Sequence, residues 1–351
     1  MKRICIVADI KGWAFDNIAH QVKKDLGAFY DIDIAYFNRH DENADFYTFV
    51  ESLNDYDLVH FLNRRMLLLM NSEKFIESVE NSGRDIKSYI QEKKRRFSTA
   101  VYDYLDFDPK GIENQTCIFN DFTKKYYVST QGLFEIYNKI NEYKKPYSVV
   151  HDVCDCDFYK PSNLDRFKLE NIKDRELVIG WCGNSTHSAD QVVDLKGINH
   201  ILNPVVAELQ SEGYNIKSDF ADRNVNFKQP EEMPAYYSNI DIYVCASIHE
   251  GTPRPVLESM SCGVPIISTN VGIVPECFGP LQKSFIIGDR MNGKNDEEVR
   301  KNLKDRIIYL YNNRELFEIL SNENMRSLQI FDGGKTMQSF KEFFDACLKE
   351  D

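Results

Sequence analysis

No stretch of 18 apolar residues occurs in the 351-residue chain, so no membrane-spanning helix is expected. Disulfide-like spacing is missing too. The nine cysteines are an odd number, set singly in apolar segments at Cys5, Cys182 and Cys245, with Cys154 and Cys156 as the nearest pair. That usage fits a reduced, cytoplasmic protein. Residues 1–9 read as a first core strand behind Lys2 and Arg3, not as a signal peptide. There is no basic domain: residues 1–150 carry 21 Lys and Arg against 23 Asp and Glu, and the remainder holds most of the net charge of −12. A nucleic-acid binder would show the opposite. Repeats of fixed period and low-complexity tracts are absent. The loop after the first strand reads D-I-K-G-W-A, without the G-x-G-x-x-G of a nicotinamide dinucleotide site.

What is present is enough for two cores: 42% apolar and 13% aromatic residues in a length that suits two domains. Residues 4–8, 32–37, 58–62, 100–102 and 126–129 read as short buried strands, with a helix over 17–26 after the first. That rhythm is a doubly wound α/β sheet. Residues 177–183 open a second set with an apolar strand running into Gly183.

The chain is organised around residues 241–276, DIYVCASIHEGTPRPVLESMSCGVPIISTNVGIVPE. The run IYVCA is a strand covered on both faces, and VPIIS starts the next. Between them Thr252 is placed to cap a helix with Pro253 and Pro255 in its first turn, and Gly263 to stop it. Glu250 then lies in the loop before the helix and Glu258 inside it. Free N–H groups and the positive helix end would share their crevice. Two acids beside an anion-binding helix end suit a ligand that carries hydroxyls next to phosphates. A sugar nucleotide is such a ligand.

This stretch resembles the signature of glycosyltransferase family 4, retaining enzymes of the GT-B fold. Ser247, Glu250, Gly251, Pro253, Glu258, Met260, Cys262, Gly263 and Pro265 stand in register with S-x-x-E-G-x-P-x-x-x-x-E-A-M-A-C-G-x-P-V; Ser259 and Ser261 replace alanines. The resemblance implies that Glu258 binds the ribose hydroxyls and Glu250 contacts the donor sugar. It implies a diphosphate site from a Gly-Arg after the strand and a later Lys-Gly. Lys196 matches the lysine, whereas Asn184 after Gly183 stands where the arginine belongs. Arg254 is the candidate to compensate, with Gly251 and Thr252 lining the same site. In the first domain the loop at Gly12 would flank the acceptor pocket. Tyr102-Asp103 stands where a catalytic His-Asp is common, leaving Asp103 to reach the sugar. His60 reads as a strand histidine rather than a catalytic one.

The expected architecture is GT-B, two Rossmann-like doubly wound domains facing a cleft. Its parts are an acceptor domain at 1–158, a nucleotide-sugar domain at 159–332, and a terminal helix at 333–351 returning to the first. The expected activity is metal-independent, retaining hexosyl transfer from a UDP- or GDP-sugar to a hydroxyl of a glycan, glycolipid or polymer, without a cofactor. A sugar-nucleotide epimerase or hydrolase of this fold, or a non-catalytic sugar-nucleotide binder, is the alternative. Asp155-Cys156-Asp157 mimics a metal-binding Asp-x-Asp but sits in a linker pattern. Lys93-Lys94-Arg95-Arg96, with Arg64-Arg65 ahead of residues 66–70, admits a peripheral contact at the inner membrane face.

Overall fold

A computed structural model describes residues 1–38, 41, 44–186, 194–331 and 333–349, without the side chains of Asn292 and Ile330. The chain divides into two units, Met1–Val153 with Gly334–Asp351, and Cys154–Gly333. Each is an α/β layer structure on a parallel sheet.

In the first unit the strands are β1 (Arg3–Ala8), β2 (Asp31–Tyr36), β3 (Leu58–Phe61), β4 (Phe97–Val101) and β5 (Lys125–Val128). Their order is β2-β1-β3-β4-β5, all parallel. Alternation along β1 divides the core. Ile4 and Ile6 face the helices Ala14–Leu26 and Gly333–Leu348, and Cys5 and Val7 face the opposite layer. The helix Gly333–Leu348 packs on this sheet through Phe340, Phe343 and Phe344. Beneath it His60 is fully buried, its Nδ1 3.0 Å from Ser98 Oγ and its ring stacked on Tyr127. Burial pulls its pKa down to about 3.

Part of the basic cluster serves this core. Lys93 is buried and pairs with Glu51 at 2.9 Å, Lys94 donates to the Asn120 carbonyl, and Arg96 bonds Asn54. Met66, Leu67 and Met70 after Arg64-Arg65 are likewise core residues. Only Arg95 of the four cluster cations is exposed.

The second unit holds β6 (Leu177–Gly183), β7 (Ile216–Asp222), β8 (Ile242–Cys245) and β9 (Ile266–Ser268) in the order β7-β6-β8-β9, again parallel. β7 lacked an apolar signature because it is an edge strand, IKSDFAD, with Lys217 and Ser218 exposed. The helix Arg254–Ser261 joins β8 to β9 and buries Val256, Leu257 and Met260. Gly263, at φ 75°, ends it where a side chain would strain. In a sheet of this order the winding reverses between β6 and β8. The crevice outside their carboxyl ends is therefore where a ligand belongs.

Candidate functional site

Glu250, Lys196, Glu258, Gly251, Thr252, Arg254, Gly183 and Asn184 all lie on elements that meet at that edge of the second unit. The loop after β8 begins with Ser247, and Ser247 Oγ donates to Glu250 Oε1 at 2.8 Å. Lys196 Nζ donates to the same oxygen at 2.5 Å. Burial alone would lower the Lys196 pKa, but the Glu250 carboxylate outweighs it and holds the ammonium above its ordinary value. The lysine is therefore charged at neutral pH and already paired.

Two backbone approaches bring this about. Gly197 has φ 72°, and a Cβ there would meet the Ala246 carbonyl oxygen at 2.2 Å. Gly272, at φ 50°, lies so near Gly251 that a Cβ would sit 1.8 Å from its oxygen. Ile273 N donates to that oxygen at 3.0 Å. Glycine at both positions is what lets the lysine loop and the β9 loop close on the Glu250 loop.

Glu258 forms a second cluster on the helix. It is 8% exposed and accepts from Tyr237 Oη at 2.7 Å on Oε2. Arg254 Nε lies 3.7 Å from its Oε1, one turn away. Tyr237 also reaches Cys182 Sγ at 3.3 Å, at the end of β6. Burial, with Cys182 and Glu258 beside it, pushes the Tyr237 hydroxyl well above the usual phenol pKa, so it stays a donor. The arrangement leaves a carboxylate held between a phenol and a guanidinium at the mouth of a parallel sheet. Hydroxyls of a sugar ring are suitable partners for it.

One expectation changes. Thr252 does not cap the helix: Pro253 occupies the cap position with no side-chain bond, and Thr252 Oγ1 is buried without a hydrogen-bond partner. Prolines at 253 and 255 lack N–H groups and Val256 N is spent on the Pro253 carbonyl at 2.8 Å. The helix end thus offers its dipole more than free donors. The Asn184 oxygen accepts from Asn224 Nδ2 at 2.7 Å and from Thr186 at 3.0 Å. Beside it Asp222 is buried and takes Ser185 N and Asn224 N. The end of β7, paired with the β6 end, thus sets an acid beside the position where the resemblance places a cation. Arg254 pairs with Glu258 while a quarter of its side chain stays exposed.

Asp103 and Gly12 belong to the first unit. Arg64, itself 3% exposed, grips both Asp103 oxygens at 2.9 and 2.8 Å and donates to Gln115 Oε1 at 2.6 Å. Burial raises the Asp103 pKa, but Arg64 outweighs it and holds the carboxyl below its ordinary range. Asp103 is a structural counterion in this unit. Gly12 is a turn glycine at φ 77° whose N–H meets Asp16 Oδ2 at 2.7 Å. Trp13 beside it is 47% exposed, not a core residue. Asp155 caps a turn through Asp157 N and Phe158 N, and among the described residues no group of three His, Cys, Asp or Glu is arranged for a metal.

Sequence reasoning missed Arg290. Its side chain is fully buried, grips Asp296 at 2.7 and 2.6 Å, and donates to the carbonyls of Asp194 at 2.6 Å and Ala246 at 3.1 Å. Its neighbours in the chain, G-D-R-M-N-G, carry no pattern that announces such a role.

Comparison with known proteins bears on the second unit and on the fold. Residues 209–324 match the family model described as glycosyl transferases group 1. The O-antigen chain mannosyltransferase B of Escherichia coli is 39% identical over 57 residues, 16% of this chain and 15% of that protein. The O-antigen biosynthesis glycosyltransferase WclY of Escherichia coli is 25% identical over 146 residues, 40% of this chain and 41% of its own length. The chain thus spans less than half of these curated relatives. Among solved structures, Anabaena HepE in complex with UDP-glucose aligns with a TM-score of 0.65 at 13% identity, covering 99% of this chain and 100% of that one. That likeness shows the fold, two parallel-sheet units of the GT-B class.

Proposed function

We propose, with the group 1 glycosyl transferase match of the second unit as premise, that the chain is a retaining hexosyltransferase using a UDP- or GDP-linked sugar. The observation that carries this reading is the Lys196–Glu250 pair, joined at 2.5 Å at the same sheet edge as Glu258. A nucleoside diphosphate sugar matches it piece by piece. Glu258 takes the ribose hydroxyls, Lys196 the diphosphate and Glu250 a hydroxyl of the donor sugar. The solved neighbour bound to UDP-glucose makes UDP the first nucleotide to try.

Cleavage of the bond between the anomeric carbon and the diphosphate oxygen leaves positive charge on the sugar and negative charge on the phosphate. Lys196 and the dipole of the Arg254–Ser261 helix stabilise the departing charge. The acceptor oxygen bonds to the anomeric carbon on the face being vacated, and its proton passes to the departing phosphate oxygen. The protein supplies no nucleophile in this scheme. The acceptor is a hydroxyl on a glycan, glycolipid or polymer, with the first unit as its binding domain. Because the lysine meets the charge, transfer is expected to persist in EDTA.

The test is thermal shift against UDP, GDP, ADP, CMP and NAD, with Glu258→Gln and Lys196→Ala alongside. One nucleoside diphosphate should stabilise, by about 2.7 kcal/mol at 100 times its Kd, and both substitutions should remove the shift. Lys196→Ala should slow turnover by about two to three orders of magnitude, as for loss of one charge-stabilising donor. Proton NMR of the product should show the donor's anomeric configuration. A shift with NAD alone, or one that survives both substitutions, would overturn the reading.

A further inference from the structure

We infer that Arg290 is a positioning residue for the Lys196–Glu250 pair, an inference that rests on the reading just given. Three separate segments meet at its guanidinium. The first is the loop Asp194–Gly197, which carries Lys196: Arg290 Nη1 donates to the Asp194 carbonyl at 2.6 Å. The second is the end of β8, four residues before Glu250: the same nitrogen donates to the Ala246 carbonyl at 3.1 Å. The third is the start of the helix Asp296–Asn312, where Nε and Nη2 grip the Asp296 carboxylate at 2.7 and 2.6 Å. A planar five-donor fork can serve a carboxylate along one edge and two carbonyls along the other; an ammonium cannot span both.

The same two segments are already as near as backbone permits. Ile248 N donates to the Leu195 carbonyl at 2.9 Å, and Gly197 passes against Ala246 with no room for a Cβ. Asp194 then anchors the start of the following helical turn, its carboxylate accepting from Gly197 N at 2.9 Å, Asn199 N at 2.8 Å and His200 N at 2.7 Å. Lys196 is thus suspended between a capped turn on one side and a carbonyl held by Arg290 on the other. The Arg290 side chain itself is fully buried, so a ligand does not touch it. It acts through the distance between the loops.

The experiment has one arm that needs no nucleotide. Lys196 is held protonated by Glu250, which makes it slow to acylate; acetic anhydride labelling read by mass spectrometry should show it among the slower lysines. Glu250→Gln sets the released rate. Arg290→Lys should bring Lys196 several-fold towards that rate, with Asp296→Asn as a milder second variant that keeps the arginine charge. The second arm compares UDP with uridine by calorimetry. Arg290→Lys should lower UDP affinity about tenfold while leaving uridine, which engages only the Glu258 end, unchanged. An unaltered Lys196 labelling rate in both variants refutes the inference, whatever binds. An equal fall for uridine and UDP also refutes it, because that is general loosening of the unit. If the parent protein binds no nucleotide, the functional reading fails, and labelling still decides the role of Arg290.

Discussion

Glu250→Gln is expected to tighten binding of free UDP while slowing transfer of the sugar. Without ligand, the Lys196 ammonium is neutralised by Glu250 Oε1 at 2.5 Å. A diphosphate must compete for that cation, so the carboxylate opposes the free nucleotide. Glutamine keeps an acceptor for Lys196 and Ser247 but removes the charge. A hydrogen bond to a charged partner contributes about 1.5–3 kcal/mol against about 1 kcal/mol for a neutral one. Both side chains are partly solvated, at 27% and 18% exposure, so the lower end applies. The charge difference is then about 0.5 kcal/mol. The apo protein loses it, and binding regains it once a phosphate supplies the missing charge. UDP affinity should therefore rise about twofold by calorimetry. The melting temperature without nucleotide should fall by about 1–2 °C in a unit of this size and recover with UDP. UDP-sugar should gain less, because its hydroxyl loses the acceptor that Glu250 offered. Unchanged or weaker UDP binding in Glu250→Gln, with Lys196→Ala having abolished it, would refute the competition.

Asp103→Ala should destabilise the first unit by about 3 kcal/mol in urea, because buried Arg64 is left without its bidentate counterion. His60 sets an acid limit. The folded state keeps its ring neutral down to about 3, whereas the unfolded chain takes a proton below the ordinary histidine value of about 6.5. Stability from this group is complete above that value and falls as pH drops, by up to about 1.4 kcal/mol per pH unit. His60→Phe should flatten urea midpoints between pH 6.5 and 4, and a slope equal to the parent's would exclude His60 as the cause. Gly197→Ala places a Cβ at a left-handed position, 2.2 Å from the Ala246 oxygen. A cost of about 2–4 kcal/mol from strain and overpacking, with weakened UDP binding, is the expected result; a parental melting temperature would show that the loops can part freely.

The elements with strong local signals were legible. β1, β6 and β8 are apolar runs that parallel sheets bury on both faces, and each stands within a residue or two of its expected place. β7 was not, because an edge strand with Lys217, Ser218 and Asp219 satisfies its exposed side with water and needs no apolar pattern. Glu250 and Glu258 could be read because their spacing is local: a loop and a helix turn fix both relative to one strand. The fate of the cations could not. Lys93 reads as one member of a solvated run, yet Glu51, 42 positions earlier, pulls it into the core.

Partners are decided by tertiary contact, and this explains why the charge inventory misleads at the site itself. The sequence puts one matching lysine and a missing arginine at the diphosphate position, and suggests Arg254 as the substitute. In the structure Arg254 faces Glu258, and the buried cation nearest the Lys196 loop in the backbone sense is Arg290, nearly a hundred residues downstream. Arg290 contributes no charge to a ligand, since Asp296 neutralises it. Under the proposed reading, Lys196 is therefore left with most of the electrostatic work. Adding a cation is then the discriminating change: Asn184→Arg should strengthen UDP binding if the β6 end lies along the diphosphate, with Asp222 limiting the gain by drawing the new guanidinium to itself. Removing that competitor as well, in Asn184→Arg with Asp222→Asn, should raise affinity above either single variant when measured by calorimetry. Strict additivity of the two changes would mean that the guanidinium and Asp222 never meet, whereas no gain from Asn184→Arg in either background would mean that the β6 end does not lie along the diphosphate.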